Sequence, residues 1–163
     1  MTRPVVDARD LRQVLGHFAT GVAIVTCLDA AGERVGLTAN SFNALSLAPP
    51  LVLWSLRQAS LSLPAFRAAR QFAINILAES QVDLSRRFAS SVEDKFAEGR
   101  WSAGQGGAPV LAGAVAVLEC EQLQAQDAGD HLLFIGRVLA LGTISTPPLL
   151  YHRGHYHLLG EVL

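Results

Sequence analysis

The chain has 163 residues, a net charge of −1 and no basic run, which excludes the electrostatic pattern of a nucleic-acid binder. Half of the residues are hydrophobic and 17% are charged, which predicts one domain over residues 1–163 with a large core and excludes a disordered chain. No apolar run reaches the roughly 20 residues of a membrane span, and MTRPVVDARD lacks the apolar stretch of a secretory signal, so we expect a cytoplasmic location.

Apolar periodicity and turn residues divide the first half of the chain into strands and short helices. In chain order these are a helix over about 8–19 capped by Asp7 or Asp10, a strand over 21–28, a turn over 29–35 that uses Gly32, a strand from 35 to about 42, a strand over 51–56, a helix over 60–69 with Pro64 in its first turn, and a strand over 71–77.

The second half is richer in strands. Its predicted elements are a helix over 79–90 capped by Ser80, a polar surface loop over 91–109, long strands over 114–126 and 131–142 joined by DAGD, and a strand pair over 149–159 with Arg153 and Gly154 in its turn. Many strands with short connections predict a mainly β fold, an antiparallel barrel with helical additions. The sequence has neither the strand–helix alternation nor the G-x-G-x-x-G pattern of a Rossmann fold.

Cys27 and Cys120 lie in apolar, strand-like segments. We expect both to be reduced thiols of the core, because two cysteines make neither a disulfide scaffold nor a zinc site.

The densest cluster of small polar groups lies in GLTANSFNALS, residues 36–46, where a predicted strand ends. It contains Thr38, Asn40, Ser41, Asn43 and Ser46. A flavin ring needs donors and acceptors of this kind along its polar edge and apolar walls elsewhere. Residue types alone favour the alternative, an ordinary polar junction between a strand and a turn.

Basic groups beside hydroxyls occur at Ser85, Arg86 and Arg87, followed by Lys95. Such groups suit a phosphate, although in isolation they slightly favour the alternative, solvated charge on a helix face.

His131, in the sequence GDH, begins a long strand and could lie beside a reduced ring, although a lone histidine is more often structural. In YHRGHYH, residues 151–157, we expect strand alternation to separate the histidines by face, which disfavours a metal site. The aromatic rings and Arg153 would instead suit a dinucleotide. No nucleophile signature such as G-x-S-x-G is present.

Taken in order, GVAIVT, GLTANSFNALSLAPPLVLWSL, FAINIL, LSRRFA with DKF, GDHLLFIGRV and YHRGHY resemble the flavin reductase family of the FMN-binding split barrel. The resemblance covers about residues 11–160. It departs at Trp54, where smaller residues are common in the family, so that this ring could crowd or wall the flavin site.

The resemblance implies a homodimer built on a six-stranded antiparallel split barrel, with FMN or FAD near the dimer interface. It implies that NADH or NADPH reduces the flavin, which often leaves for a partner monooxygenase. Its implied flavin-ring residues are Thr38, Ala39, Asn40 and Ser41, continued by Ser46, Leu47, Trp54, Ser55 and Leu56. Its implied ribityl and phosphate residues are Ser60, Arg86, Phe88 and Lys95. Its implied nicotinamide residues are His131, the catalytic candidate, and His152, Arg153, Gly154, His155 and Tyr156.

Hydride transfer mainly requires the two rings to be held together, and backbone N–H groups of the TANS turn would stabilise the charge that develops on the flavin. The sequence leaves three alternatives open: an oxidase that keeps its flavin on the same barrel, as pyridoxamine-phosphate oxidases do, a non-catalytic module that binds flavin or haem, and a dimeric domain without a cofactor. It does not choose FMN over FAD or NADH over NADPH.

Overall fold

A computed structural model describes residues 5–163, in which most of the regular structure is β-strand. The strands are β1 (Thr20–Gly21), β2 (Ala23–Leu28), β3 (Arg34–Ala39), β4 (Asn43–Leu47), β5 (Pro50–Arg57), β6 (Gln71–Ile76), β7 (Trp101–Ala103), β8 (Pro109–Leu111), β9 (Ala116–Ala128), β10 (His131–Thr143), β11 (Leu149–His152) and β12 (His155–Leu158). The α-helices are α1 (Ala8–Leu15), α2 (Leu63–Ala68) and α3 (Val82–Phe88), and single 3₁₀ turns span Glu79–Gln81 and Lys95–Ala97. The predicted mainly β class with helical additions is confirmed.

The main sheet is antiparallel and has seven strands in the order β3-β2-β6-β9-β10-β5-β4. Its outer strands, β3 and β4, do not pair with each other among the described residues. Two small sheets complete the fold, β1-β11-β12 and the hairpin β7-β8. The small sheet brings the end of the chain beside the start of β2, because Thr20 of β1 pairs with Tyr151 of β11.

The main core fills the inner face of the large sheet. Trp54 is fully buried there and stacks on Phe134, with ring centroids 4.6 Å apart, while Phe66 and Phe72 meet its edges. A second cluster, which includes Leu77, Phe88 and Leu149, fills the space beneath α3 and the small sheet. The two clusters hold β3, α3 and the β11–β12 hairpin in fixed relative positions.

Several boundaries differ from the sequence prediction. Helix α1 is capped by Asp7, one of the two expected residues, but it ends at Leu15 rather than near 19, where Gly16 follows. Ser80 is not a cap, because it lies inside the 3₁₀ turn, and the Gln81 side chain accepts from the Ala78 N–H at 3.0 Å instead.

Strand β4 was missed, and the predicted loop over 91–109 contains a 3₁₀ turn, β7 and the start of β8. Strand β8 is held by core polar groups that its own sequence does not reveal. The buried Asn75 side chain accepts from the Leu111 N–H at 2.8 Å, and Thr26 Oγ1 donates to the Pro109 carbonyl at 2.6 Å.

Cys27 and Cys120 are both unbonded and buried, as expected, and burial raises the pKa of each thiol to about 12. None of the helices in residues 5–163 is long and apolar enough to cross a membrane.

Candidate functional site

A groove crosses the molecule past the end of β3. It consists of three adjoining hollows of about 630, 190 and 670 Å³. The first and second share Asn40 and Tyr151, and the second and third share Thr38 and Ala89, so the three lie side by side. We call them the helix hollow, the central hollow and the lysine hollow.

The central hollow lies against Thr38, Ala39 and Asn40, where β3 leaves the sheet. Thr38 Oγ1 donates to the Ser85 carbonyl oxygen at 2.6 Å, which ties this end of β3 to α3. The Asn40 side chain is exposed and makes no hydrogen bond to the other described residues, so its amide is available to a ligand. Here the structure brings three of the predicted ring-binding residues together.

Two tyrosines form the opposite wall of the central hollow. Tyr151 and Tyr156 are cross-strand partners in the β11–β12 hairpin, and their ring centroids are 5.4 Å apart. Tyr156 Oη lies 2.7 Å from the buried Ser85 Oγ, which fixes the phenol ring beside β3. The wall is therefore aromatic, and the hydroxyl of Tyr156 is already paired within the protein.

The three histidines of this hairpin share one face, contrary to the expectation that alternation separates them. His152 pairs directly with His155, and His157 lies two residues further along β12, so all three point to the same side. That face is opposite to the one that Tyr151 and Tyr156 occupy. Tyr151 and Tyr156 therefore line the central hollow, whereas His152 and His155 do not. The sequence analysis did not include Tyr151 among the site residues. Strand alternation on both sides of the Arg153–Gly154 turn could have identified it.

The lysine hollow carries a cation and several hydroxyls. Lys95 lines it together with Leu56, Ser60, Ser62, Ser90 and Ser91. Lys95 Nζ donates to the Phe88 carbonyl at 3.0 Å and to the Gly36 carbonyl at 3.5 Å. Burial lowers the pKa of this ammonium group below its ordinary value of 10.5. A charged group held at a known point among hydroxyls is suited to a phosphate.

The two arginines of α3 do not join Lys95 in this hollow. Arg86 pairs with Asp83 at 3.0 Å and lies over the Tyr156 ring, 5.5 Å from its centroid. Arg87 donates to the Lys95 carbonyl at 2.9 Å and so holds the Lys95 turn. Phe88 is buried beneath the hollow, in contact with the ring of Phe96.

Several other predicted residues have structural partners instead. The Ser41 hydroxyl accepts from the Ser55 N–H at 3.0 Å and donates to the Ser55 carbonyl at 2.9 Å, so it links the turn to β5. Trp54 neither crowds nor walls the groove, because it points into the core from the face of β5 opposite to Ser55. Ser46 and Leu47 lie on β4, where Leu47 is 95% exposed.

His131 is half-exposed at the start of β10, directly across from Arg57, which lines the lysine hollow. Its Nδ1 lies 2.7 Å from Asp130 Oδ1, and this hydrogen bond lowers the pKa of the carboxyl group. A carboxylate acceptor requires the proton on Nδ1, which leaves Nε2 free. The Arg153 turn lines the helix hollow instead, so the structure does not bring His131 and this turn together within the chain.

The sequence analysis missed the helix-hollow lining from α1, which includes Arg9, Arg12 and Gln13. Together the three hollows form a groove with aromatic walls at its centre and cationic side chains towards both ends. A site of this kind is suited to binding nucleotides.

The comparisons agree with this class. The family model described as the flavin reductase like domain matches residues 15–160. The reductase subunit of a flavin-dependent monooxygenase from Rhodococcus jostii (strain RHA1) is 43% identical over 152 residues, which are 93% of this chain and 77% of that protein. A solved structure, the NADH:FAD oxidoreductase of Streptomyces globisporus, superposes with a TM-score of 0.90 at 35% identity, covering 99% of this chain and 100% of that chain.

A Rhizobium meliloti (strain 1021) protein named "Probable flavin reductase" is 46% identical over 156 residues. The matched part is 96% of this chain but spans only 50% of that longer relative. The chain belongs to the flavin reductase family.

Proposed function

We propose that this chain reduces FMN or FAD with hydride from NADH or NADPH and supplies the reduced flavin to a partner monooxygenase. Relatives named as reductase subunits of flavin-dependent monooxygenases, and as an NADH:FAD oxidoreductase, support this reaction class. The observation that carries the proposal is the adjacency of the central and lysine hollows, because a flavin nucleotide needs a place for its ring beside a place for its phosphate.

The residues of the groove fit a flavin nucleotide. The Asn40 amide and the backbone at Thr38 and Ala39 would meet the polar edge of the ring, and the tyrosine wall would cover its face. Lys95 and Ser60 would meet the phosphate, with Leu56 beside the ribityl chain. When bound, the flavin supplies the hydride acceptor that no side chain of this protein provides.

The protein's own part in the reaction is positioning. The bond from Thr38 to the Ser85 carbonyl and the pair formed by Ser85 and Tyr156 hold the two walls of the central hollow at a fixed separation. Ser41 keeps the turn attached to β5. A site whose walls need no rearrangement keeps two stacked rings in a near-attack arrangement at little entropic cost.

We assign His131 the role of orienting the hydride donor. Asp130 holds the Nδ1–H, so Nε2 is the atom that can accept from a carboxamide or, when protonated, donate to it. The segment that includes His152, Arg153, Gly154, His155 and Tyr156 would contact the hydride donor from the side of the helix hollow, through Tyr156 and the Arg153 turn, which within one chain is not the position of His131.

We further propose the homodimer and the six-stranded split barrel. Strands β2, β3, β5, β6, β9 and β10 would form the barrel, with β4 as an added edge strand. Exposed apolar residues on α1, β4 and β10 support an interface that a second copy of the chain would cover. They include Leu11, Val14, Leu45, Leu47 and Leu141. A cytoplasmic location stays a prediction.

The test is an anaerobic titration of the purified protein with FMN or FAD and with each nicotinamide nucleotide, followed at the flavin and nicotinamide absorbance bands. We expect stoichiometric bleaching of the flavin that depends on the protein. A coloured protein that neither NADH nor NADPH bleaches would favour a binding module instead. The Lys95→Met variant should bind FMN more weakly, while Arg70→Gln, an exposed charge change outside the groove, should not.

A further inference from the structure

The helix hollow, at the end of the groove away from Lys95, carries three guanidinium groups. Arg9 and Arg12 of α1 and Arg153 of the hairpin turn line it, together with Gln13 and the exposed ring of Phe18. None of the three arginines forms a salt bridge with another of residues 5–163. Three such charges around one hollow of about 630 Å³ form a site for an anion with more than one charge.

The arginines of α1 lie on the side of the helix that lines the hollow. Arg9, Arg12, Gln13 and Gly16 follow the spacing i, i+3, i+4, i+7, which places them on one stripe. This stripe lines the hollow together with Leu15, whereas Leu11 and Val14 do not line it. All residues of α1 are exposed, so the two arginines are accessible to a ligand from solvent.

A backbone hydrogen bond anchors the turn that carries the third arginine. The Arg153 N–H donates to the Gly16 carbonyl, the end of α1, at 2.9 Å. Arg153 has φ 49° and Gly154 φ 83°, so the tight turn needs left-handed backbone at both positions. This bond holds the backbone of the turn against the end of α1, beside the hollow that Arg153 lines.

We propose that the helix hollow binds the diphosphate and adenosine of the nicotinamide nucleotide, with Arg9, Arg12 and Arg153 on the phosphates and Phe18 against the adenine. The proposal rests on the proposed function, which places the flavin phosphate at Lys95. The arginines at the opposite end of the groove are then free to bind the nicotinamide nucleotide. Asn40 and Tyr151 line both the helix hollow and the central hollow, so a nucleotide bound at the arginines extends towards the flavin ring.

The direct test is calorimetric binding of ADP-ribose, which has the diphosphate and adenosine but no nicotinamide, to the FMN-loaded protein. Removing one guanidinium contact to a phosphate should weaken ADP-ribose binding roughly tenfold in Arg12→Gln, and further in the double variant with Arg9→Gln. Adenosine, which lacks phosphates, should bind the wild type and the Arg12→Gln variant with the same affinity. Arg70→Gln, an exposed arginine outside the groove, is the matched control.

A kinetic test separates this inference from the proposed function. In Arg12→Gln the KM for NADH should rise about tenfold, while kcat/KM for reduced nicotinamide riboside, which has no phosphate, should not change. Equal ADP-ribose affinity in Arg12→Gln and Arg70→Gln would overturn the inference and leave the reductase function intact. A raised KM for FAD with unchanged KM for NADH and FMN would also overturn it, since the arginines would then hold the adenylate of FAD. Absence of flavin reduction by the wild type with every donor would refute the function, and ADP-ribose binding would still be measurable.

Discussion

Lys95 is the side chain on which the phosphate end of the groove depends. Its ammonium group is held by two main-chain carbonyls, those of Phe88 and Gly36, and burial lowers its pKa below 10.5. The protonated form is therefore lost at a lower pH than on a free lysine. Only the protonated form attracts a phosphate.

We predict that the preference of the protein for FMN over riboflavin declines as the pH rises and that the decline begins below 10.5, the ordinary pKa of a lysine. The Lys95→Arg variant should keep its preference over this range, because a guanidinium group stays charged. Fluorescence titration of the two flavins at a series of pH values measures the ratio. A wild-type ratio that stays constant up to 10.5 would remove the phosphate role of Lys95.

His131→Ala should lower the NADH-dependent rate of flavin reduction by roughly tenfold to a hundredfold, while the dissociation constant for FMN changes little. The reason is that Nε2 is free to meet the hydride donor, whereas His131 does not line the groove beside the flavin. Stopped-flow kinetics measures the rate of flavin reduction, and a flavin titration measures the dissociation constant for FMN. If the rate and the affinity for FMN fell by the same factor, His131 would be a structural residue.

Individual site residues differ in how well the sequence alone could predict their role. Thr38, Asn40 and Lys95 could be proposed because hydroxyl, amide and ammonium groups suit a flavin nucleotide. The satisfied hydroxyl of Ser41 could not, since its partner Ser55 lies 14 residues away on another strand. Alternation could have shown that Trp54 and Ser55 do not both line one surface, but not which of them to exclude, because Leu56, which lines the lysine hollow, shares the face of Trp54.

At the scale of elements, the contact between β3 and α3 positions the central hollow. Gly36 lets the two approach closely: a Cβ at this position would lie 2.8 Å from Phe88 Cε1 and 3.1 Å from Phe96 Cζ. The first contact is shorter than real Cβ atoms show and the second is tight, and the two rings are packed against each other, which limits how far they can move.

We therefore predict that Gly36→Ala lowers the free energy of unfolding by about 1–3 kcal/mol and weakens FMN binding. Urea denaturation measures the first quantity. Gly142→Ala is the control, because its new Cβ would meet nothing within 4 Å. Similar unfolding curves for the two variants would show that the β3–α3 contact is looser than described.

Elements with a strong local signal were predicted well, and those fixed by distant contacts were not. The β9–β10 pair and its turn follow from two long apolar strands around DAGD. The hairpin β7-β8 lies in a polar, glycine-rich segment and is anchored by Asn75 and Thr26 of other strands. No local pattern reports such partners, so this segment was assigned to a loop.

At the scale of the whole molecule, the exposed leucines of the edge strand β4 bear on assembly. Leu47 is 95% exposed and Leu45 is 46% exposed, and an edge strand with apolar residues needs a cover. The dimer was implied by the family resemblance, which does not identify a surface.

Leu47→Glu should shift the protein from dimer to monomer at micromolar concentration, because the new charge would be buried in the interface. Light scattering coupled to gel filtration measures the mass. Gln124→Glu, an exposed change on β9, should stay dimeric. A dimeric Leu47→Glu variant would place the interface on another surface.

The location of the flavin is tested most directly by a crystal structure with FMN bound. We predict that its ring lies against Thr38, Ala39 and Asn40 and that its phosphate lies within hydrogen-bonding distance of Lys95 Nζ. A ring bound elsewhere, or a central hollow filled by the protein's own side chains, would contradict the account.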